Sequence, residues 1–123
     1  MTKPFYGALL MIAFSACKTR HPVSDATLRS PEARARGRAL FVEHCALCHG
    51  QNADGRGLRR EGLTGTPADF TSAGWRAAAT PDEVFDTIRE GKPGTSMPAW
   101  RSLDDRDVAD LTAYVLSVHA EGP

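Results

Sequence analysis

Apolar residues recur along this chain at intervals of three and four, the spacing that places side chains on one face of an α-helix. The first such face consists of Gly37, Leu40, Phe41 and His44. Ser30 stands before it as a helix cap, and Pro31 lies in the first turn, where its missing N–H has no bond to make. The pattern therefore predicts a helix that begins at Pro31.

Two further helices are predicted in the C-terminal half. Thr80 and Glu83 form a capping box with Pro81 between them, and Gly91 ends the helix that follows. The last helix is expected to begin near Ser102, where three aspartates suit the positive end of a helix. The apolar faces are Val84, Phe85 and Ile88 in the second helix, and Val108, Leu111, Val115 and Val118 in the third.

No alternating pattern typical of paired β-strands is present, so the predicted fold class is all-α. Long loops are expected at residues 50–79 and 91–101. Loops of that length are uncommon in a small domain unless something organises them. Aromatic residues make up only 7% of the chain, and a core this thin usually depends on disulfides, a metal or a cofactor. A bound cofactor is therefore expected.

Residues 1–17 read as an export signal rather than as part of the fold. A basic start is followed by an apolar run over residues 5–14, too short to cross a bilayer as a helix. The run ends in Phe-Ser-Ala-Cys, which resembles a bacterial lipobox with Cys17 as the lipidated first residue of the mature chain. An ordinary secretory signal cleaved just before Cys17 is the alternative. Residues 18–29 are then expected to form a flexible tether, and residues 30–120 one domain.

The charge balance argues against nucleic-acid binding, and the distribution of charge along the chain suggests an electric dipole. The 123 residues include 15 Lys and Arg against 15 Asp and Glu, whereas a general nucleic-acid binder needs a net basic surface. Ten basic and six acidic residues lie between Lys18 and Arg76, and four basic and nine acidic residues lie between Ala77 and Pro123. If these halves fold onto different faces, the resulting dipole would orient the molecule towards a charged partner.

The sequence Cys45-Ala46-Leu47-Cys48-His49 matches C-x-x-C-H, the attachment signal of c-type haem. Two cysteines at this spacing on a helical turn reach the two vinyl groups of one haem, and the histidine beside them points at the iron. One alternative is half of a zinc site, which lacks a second ligand pair. Another is a redox-active dithiol, which lacks a surrounding βαβ pattern. One haem c, bound through two thioethers, is the expected cofactor.

Four side chains are candidates for the second axial ligand of the iron. His21 lies in the tether, His44 is tied to the same face as the motif, and His119 follows the last apolar stripe and is expected to be solvated. Met97 lies in a loop stiffened by two prolines and is the only methionine left after removal of the export signal. We therefore expect His49 and Met97 to be the two iron ligands.

Residues 31–119 resemble a class I monohaem cytochrome c. The resemblance rests on the C-x-x-C-H motif, on the M-P-x-W loop that contains Met97, and on the Gly-Thr-Pro stretch that ends at Pro67. Matching helix positions are Gly37, Phe41, Leu111 and Tyr114. The resemblance implies the cytochrome c fold, in which three main helices and long loops surround one covalently bound haem. It also implies that the first and last helices cross closely at a glycine flanked by two aromatic rings.

The same resemblance implies roles for three residues near the haem. The carbonyl of Pro67 is expected to accept the Nδ1–H of the proximal His49, which would fix the ring and raise its basicity. Trp75 or Trp100 is expected to donate its indole N–H to a haem propionate. A separate basic run, Arg56, Arg59 and Arg60, is open to three interpretations: a solvated loop, a partner for a propionate, or a docking surface.

The function expected from these residues is one-electron transfer rather than catalysis. A thioether ligand favours ferrous iron and raises the reduction potential, and two axial ligands leave substrates no direct access to the metal. A monomeric carrier is expected, lipid-anchored on the extracytoplasmic side of a bacterial membrane and exchanging electrons with redox proteins. Two alternatives stay open: a subunit of a larger dehydrogenase or oxidase, and a ligand sensor or peroxidase formed when Met97 leaves the iron.

Overall fold

Six helices make up the regular structure of the described residues. A computed structural model describes Met1 and residues 23–119, and none of these residues lies in a strand. The helices are α1 Asp25–Arg29, α2 Pro31–His44, α3 Ala46–His49, α4 Ala73–Ala78, α5 Pro81–Glu90 and α6 Asp105–Ser117. The all-α prediction is confirmed. Within the described part of the chain, no helix has the length and apolarity needed to cross a bilayer.

The predicted helix ends are confirmed by their hydrogen bonds. The Ser30 hydroxyl accepts the Ala33 N–H at 3.1 Å, and Pro31 occupies the first turn of α2. Both bonds of the capping box are present at the start of α5, and Gly91 ends that helix with a φ of +72°. The last helix starts at Asp105, slightly later than predicted, because the Asp104 carboxylate accepts the Asp107 N–H at 2.8 Å.

Helices α2 and α6 pack against each other with almost no space between their backbones. A Cβ at Gly37 would overlap the backbone oxygen of Asp110 and would lie 2.8 Å from the Cβ of Tyr114. One turn further along α2, the ring of Phe41 lies 5.2 Å from the ring of Tyr114. Phe41 and Leu111 are both only 1% exposed. The expected close crossing at a glycine flanked by two aromatic rings is therefore confirmed.

A buried ion pair at the same crossing is not evident from the sequence pattern. The Asp110 carboxylate is almost fully buried, and the Arg36 guanidinium binds both of its oxygens, with Nε to Oδ2 at 2.6 Å and Nη2 to Oδ1 at 3.1 Å. A bidentate pair satisfies a carboxylate that would otherwise be costly to bury. Asp110 does not belong to the apolar face predicted for α6, and it is buried where α2 approaches α6 at Gly37.

The predicted tether is wrong from Val23 onward. Val23 is buried in the hydrophobic core, and Ser24 caps α1, which packs against α6. The Nε of Arg34 also donates to the carbonyl of Leu28 at 2.9 Å and so joins α1 to α2. The folded domain therefore begins before residue 30. Cys17 and residues 18–22 lie outside the described residues. The long loop predicted over residues 50–79 is also interrupted by α4.

The close crossing of α2 and α6 predicts the effect of adding one methyl group. Gly37→Ala should destabilise the protein by about 2 kcal/mol or more, because the new Cβ meets backbone atoms that cannot move aside. Gly74→Ala is the matched control: its Cβ meets nothing closer than 3.8 Å, and a helical alanine should add about 0.5–1 kcal/mol. Urea unfolding of the holoprotein measures both. Equal stability of Gly37→Ala and the unmodified protein would contradict the close crossing.

Candidate functional site

The C-x-x-C-H motif continues directly from the end of α2. The Cys45 N–H still donates to the carbonyl of Phe41 at 2.8 Å, and the Cys45 carbonyl accepts the N–H groups of Cys48 at 3.1 Å and His49 at 2.9 Å. This tight turn is α3. Both thiols are free and half-buried, and together with His49 they line one cavity. The α2–α6 crossing therefore fixes the helix from which the motif projects.

The imidazole of His49 is oriented by a backbone carbonyl. Its Nδ1 lies 3.2 Å from the oxygen of Ala68, so the Nδ1–H tautomer donates there and leaves Nε2 with its lone pair. The expectation that Pro67 provides this acceptor is wrong by one residue. The Pro67 oxygen instead lies against Gly55, where a Cβ would be only 2.9 Å away. The loop places Ala68 opposite His49 because Phe70 donates its N–H to Ala53 at 2.9 Å.

Aromatic rings hold the imidazole in place on its other sides. Phe70 stacks on His49 with ring centroids 4.8 Å apart and an angle of 20° between the planes, and Phe41 lies 6.3 Å away. The edge of Trp75 contacts Phe70, with centroids 4.7 Å apart. The sequence reasoning missed Phe70. Its signal was the one phenylalanine of the predicted loop over residues 50–79, at a position that no helical period marks.

Burial shifts two titratable groups of the motif, His49 and Cys45, towards their neutral forms. It lowers the pKa of His49, an effect that the hydrogen bond to Ala68 partly opposes. A neutral imidazole is the form that binds a metal. Burial, with a smaller contribution from Cys48, raises the pKa of the Cys45 thiol to about 12. A reactive dithiol needs a lowered thiol pKa, so the redox-dithiol interpretation of this motif is disfavoured.

Met97 enters the same cavity from a loop that is bonded on several sides. The Met97 carbonyl accepts the Lys92 N–H at 3.2 Å, and the Met97 N–H donates to the Thr95 hydroxyl at 3.2 Å. Ser96 and Thr64 exchange two hydrogen bonds, from Ser96 N–H to the Thr64 carbonyl at 2.9 Å and from Thr64 N–H to the Ser96 hydroxyl at 2.8 Å. These bonds fix the position of Met97 in the cavity wall.

The cavity has a volume of about 620 Å³ and is walled mainly by apolar side chains. That size lies within the range of sites that enclose an organic cofactor. Pro67, Trp75 and Trp100 all line it, as expected, although no contact shows which tryptophan would reach a propionate. The cavity brings together a C-x-x-C-H motif, an oriented imidazole and a loop methionine. These donors are the set that a covalently bound haem requires, so the residues present fit that group.

The three histidines that were the other candidates for the second iron ligand lie in different places. His44 lines the cavity and packs against Trp100, with ring centroids 5.2 Å apart. His119 is exposed, with Nδ1 3.0 Å from the Ser117 carbonyl, and is absent from the cavity wall. His21 lies outside the described residues.

Comparison with known proteins identifies the class of protein that this fold and site define. The chain is 30% identical to a solved structure titled KustC0563 c-type cytochrome, with a TM-score of 0.57, over 68% of this chain and 96% of that one. The domain is thus a c-type cytochrome that binds haem c covalently and serves electron transfer. More particularly, residues 32–115 match the family model described as cytochrome c oxidase, cbb3-type, subunit III, and the chain belongs to this family.

Two curated relatives show how the family extends to proteins of different size. The chain is 34% identical to the cbb3-type cytochrome c oxidase subunit CcoP of Rubrivivax gelatinosus, over 77% of this chain but only 29% of that protein. It is 32% identical to cytochrome c55X of Stutzerimonas stutzeri, over 77% of this chain and 76% of that protein. The chain therefore spans less than a third of the oxidase subunit and most of the small cytochrome.

Substitution of the two motif cysteines tests whether haem is attached through them. The double substitution Cys45→Ser and Cys48→Ser should abolish the haem signal that survives a denaturing gel, because no thioether remains. The folded fraction should also fall, because the cavity walls lose the group they enclose. Haem staining and far-ultraviolet circular dichroism measure the two effects. Cys17→Ser, which lies outside the motif, is the control and should keep its haem. Covalent haem in the double variant would contradict the assignment.

Proposed function

We propose that this protein is a one-electron carrier whose haem iron is held between Nε2 of His49 and the sulfur of Met97. When bound, the haem supplies a reversible change between ferrous and ferric iron. The observation that carries the proposal is the convergence of His49 and Met97 on the wall of one cavity. His49 comes from the motif after α2, whereas Met97 comes from the loop after α5.

The hydrogen bonds around both ligands support a carrier rather than an enzyme. The ring of His49 is fixed by Ala68 and by Phe70, and the Met97 loop is bonded to Lys92 and to Thr64. Ligands held this firmly move little when the iron changes charge, and small rearrangement favours fast electron transfer. A sensor or peroxidase would instead require Met97 to leave the iron against these bonds. The soft thioether also favours ferrous iron and so raises the reduction potential.

The lengths of the relatives support a separate small carrier. One relative, cytochrome c55X, is a small protein that this chain covers over most of that protein's own length. A second candidate is a haem-bearing subunit of a larger oxidase or dehydrogenase, which the family model and the CcoP relatives favour. Both candidates use the same site and differ only in the partner. Sedimentation of the protein from cell extract separates them, since only a subunit would co-sediment with a large complex.

We further propose that the carrier is an exported monomer, anchored to a bacterial membrane by lipid on Cys17 and exchanging electrons with other redox proteins. The support is the export-like segment 1–17 and its lipobox-like end. Attached acyl chains contribute about 0.8 kcal/mol per buried methylene, so more than one chain gives stable anchoring. The mass of the mature N-terminus tests this proposal, and an unmodified Cys17 would contradict it.

Met97→Ala tests the assignment of the second ligand. The variant should retain covalent haem, lose the long-wavelength ferric band of sulfur–iron ligation and show a lower reduction potential. Carbon monoxide should bind the ferrous variant far more readily. If sulfur occupies the iron about 99% of the time, its removal makes the apparent affinity about a hundredfold higher.

Leu63→Ala is the matched control for this experiment, because Leu63 also lines the cavity but has no donor atom. This variant should keep the sulfur–iron band and bind carbon monoxide as weakly as the unmodified protein. Optical titration and redox potentiometry measure both variants. A Met97→Ala protein with an unchanged ferric spectrum would contradict the proposed ligation.

A further inference from the structure

We propose that the loop after the haem motif forms the docking surface for an acidic face of the redox partner. The surface, named here the basic patch, consists of Leu47, Arg56, Leu58, Arg59 and Arg60. The inference rests on the proposed carrier function and adds to it the chemistry of the partner and the place where it binds.

The basic patch lies directly on the chain that carries the two thioether cysteines. Arg59 donates its N–H to the carbonyl of Leu47 at 3.0 Å, and Gly57 donates to the carbonyl of Cys48 at 3.1 Å. The two segments are so close that a Cβ on Gly57 would overlap Leu47 and Cys48. A partner bound at this patch would therefore sit beside the site of haem attachment. Short distance is what electron transfer between two proteins requires.

The apolar part of the patch is unusually exposed. Leu58 is 95% exposed and Leu47 is 48% exposed, and both belong to the few large apolar side chains that lie open to solvent in the described part of the chain. A single exposed leucine needs no explanation. Here, however, the segments that contain the two leucines are joined by the hydrogen bond from Arg59 to Leu47, and the three arginines lie in the same segment as Leu58. Arginine is among the residues enriched at protein interfaces, and the buried centre of such an interface is more apolar than its rim.

The three arginines of the patch have few polar partners among the described residues. Arg56, Arg59 and Arg60 are all exposed, and none lines the haem cavity, so pairing with a propionate is not supported. Among the described residues, neither Arg59 nor Arg60 forms an ion pair or a side-chain hydrogen bond. The nearby carboxylate of Asp54 is bonded to the backbone N–H of Arg56 at 3.0 Å. The five residues of the patch carry three positive charges and no negative one, while Asp54 and Glu61 flank them in the chain and the charge of Arg56 also acts on Asp69. The arginines of the patch complement an acidic protein surface.

A protein partner explains this patch better than a lipid surface does. A bilayer pressed against the patch would cover the side of the domain where the haem is attached and would keep other redox proteins away from it. An acidic protein face uses the same charges and brings its own redox centre to that side. The charges would speed encounter by attraction, and the leucines would then exclude water from the contact.

A gold electrode coated with a carboxylate-terminated monolayer serves as the probe of an acidic face. The unmodified holoprotein should adsorb and exchange electrons at an ionic strength of about 10 mM and should desorb at about 300 mM, where the Debye length is short. Arg59→Gln with Arg60→Gln should reduce the adsorbed, electroactive amount about tenfold at low salt. Leu58→Ser should weaken adsorption less and should not change its dependence on salt.

The control variant carries the same change of net charge at a distant place. Arg29→Gln with Arg106→Gln removes two exposed arginines from the α1 and α6 side. Arg106 lines a groove that shares no residue with the haem cavity. This variant should adsorb like the unmodified protein. Equal losses in the two double variants would show that net charge alone matters and would overturn the proposal.

Three further outcomes separate this inference from its alternatives and from the proposed function. A salt-dependent dimer lost in the Arg59 and Arg60 variant would assign the patch to a second copy of this chain. Equally strong, patch-dependent binding to vesicles containing about 30% phosphatidylglycerol would assign it to a lipid surface. Either result would overturn the proposal. Normal reduction by a small neutral mediator, without adsorption to the electrode, would reject the patch and leave the carrier function intact.

Discussion

The contact between the backbones of α2 and α6 at Gly37 is the constraint on which the site depends. Because no side chain separates the helices there, Phe41 reaches Tyr114 on one side and His49 on the other. The direction of α2 is therefore set before its last turn delivers Cys45. The bidentate pair of Arg36 with Asp110 fixes the same crossing. The haem motif therefore takes its position from a helix pair that lines the cavity but supplies neither proposed iron ligand.

The two walls of the cavity are built in different ways. On the imidazole side, the chain folds back on the motif: Gly55 donates its N–H to the His49 carbonyl at 2.8 Å, and Gly57 lies against Cys48. On the methionine side, the loop is closed at the end of α5, where Gly91 packs against the Met97 carbonyl and Trp100 donates to Ile88 at 3.0 Å. Glycines on both sides of the cavity let backbone segments pack directly against each other. These backbone contacts, rather than side-chain contacts, then hold the two ligands in position.

The sequence predicted the parts of this molecule that rest on local chemistry. The caps of α2 and α5 and the C-x-x-C-H turn each depend on a few neighbouring residues, and they were found where expected. Contacts between distant segments were predicted less well. The acceptor for His49 is Ala68 rather than Pro67, and the proline carbonyl lies against Gly55 instead. Helix α1 was missed because five residues give no period, and its order comes from packing on α6.

The most direct test of the account is the state of the Met97 methyl group in the reduced protein. The chain has three methionines, of which Met97 lines the haem cavity. Methyl-labelled methionine and nuclear magnetic resonance of the diamagnetic ferrous holoprotein would report on each of them. The account predicts one methyl signal shifted far upfield by the ring current of the haem, and its absence from Met97→Leu. Methyl signals that all fall in the ordinary range would show that sulfur does not bind the iron.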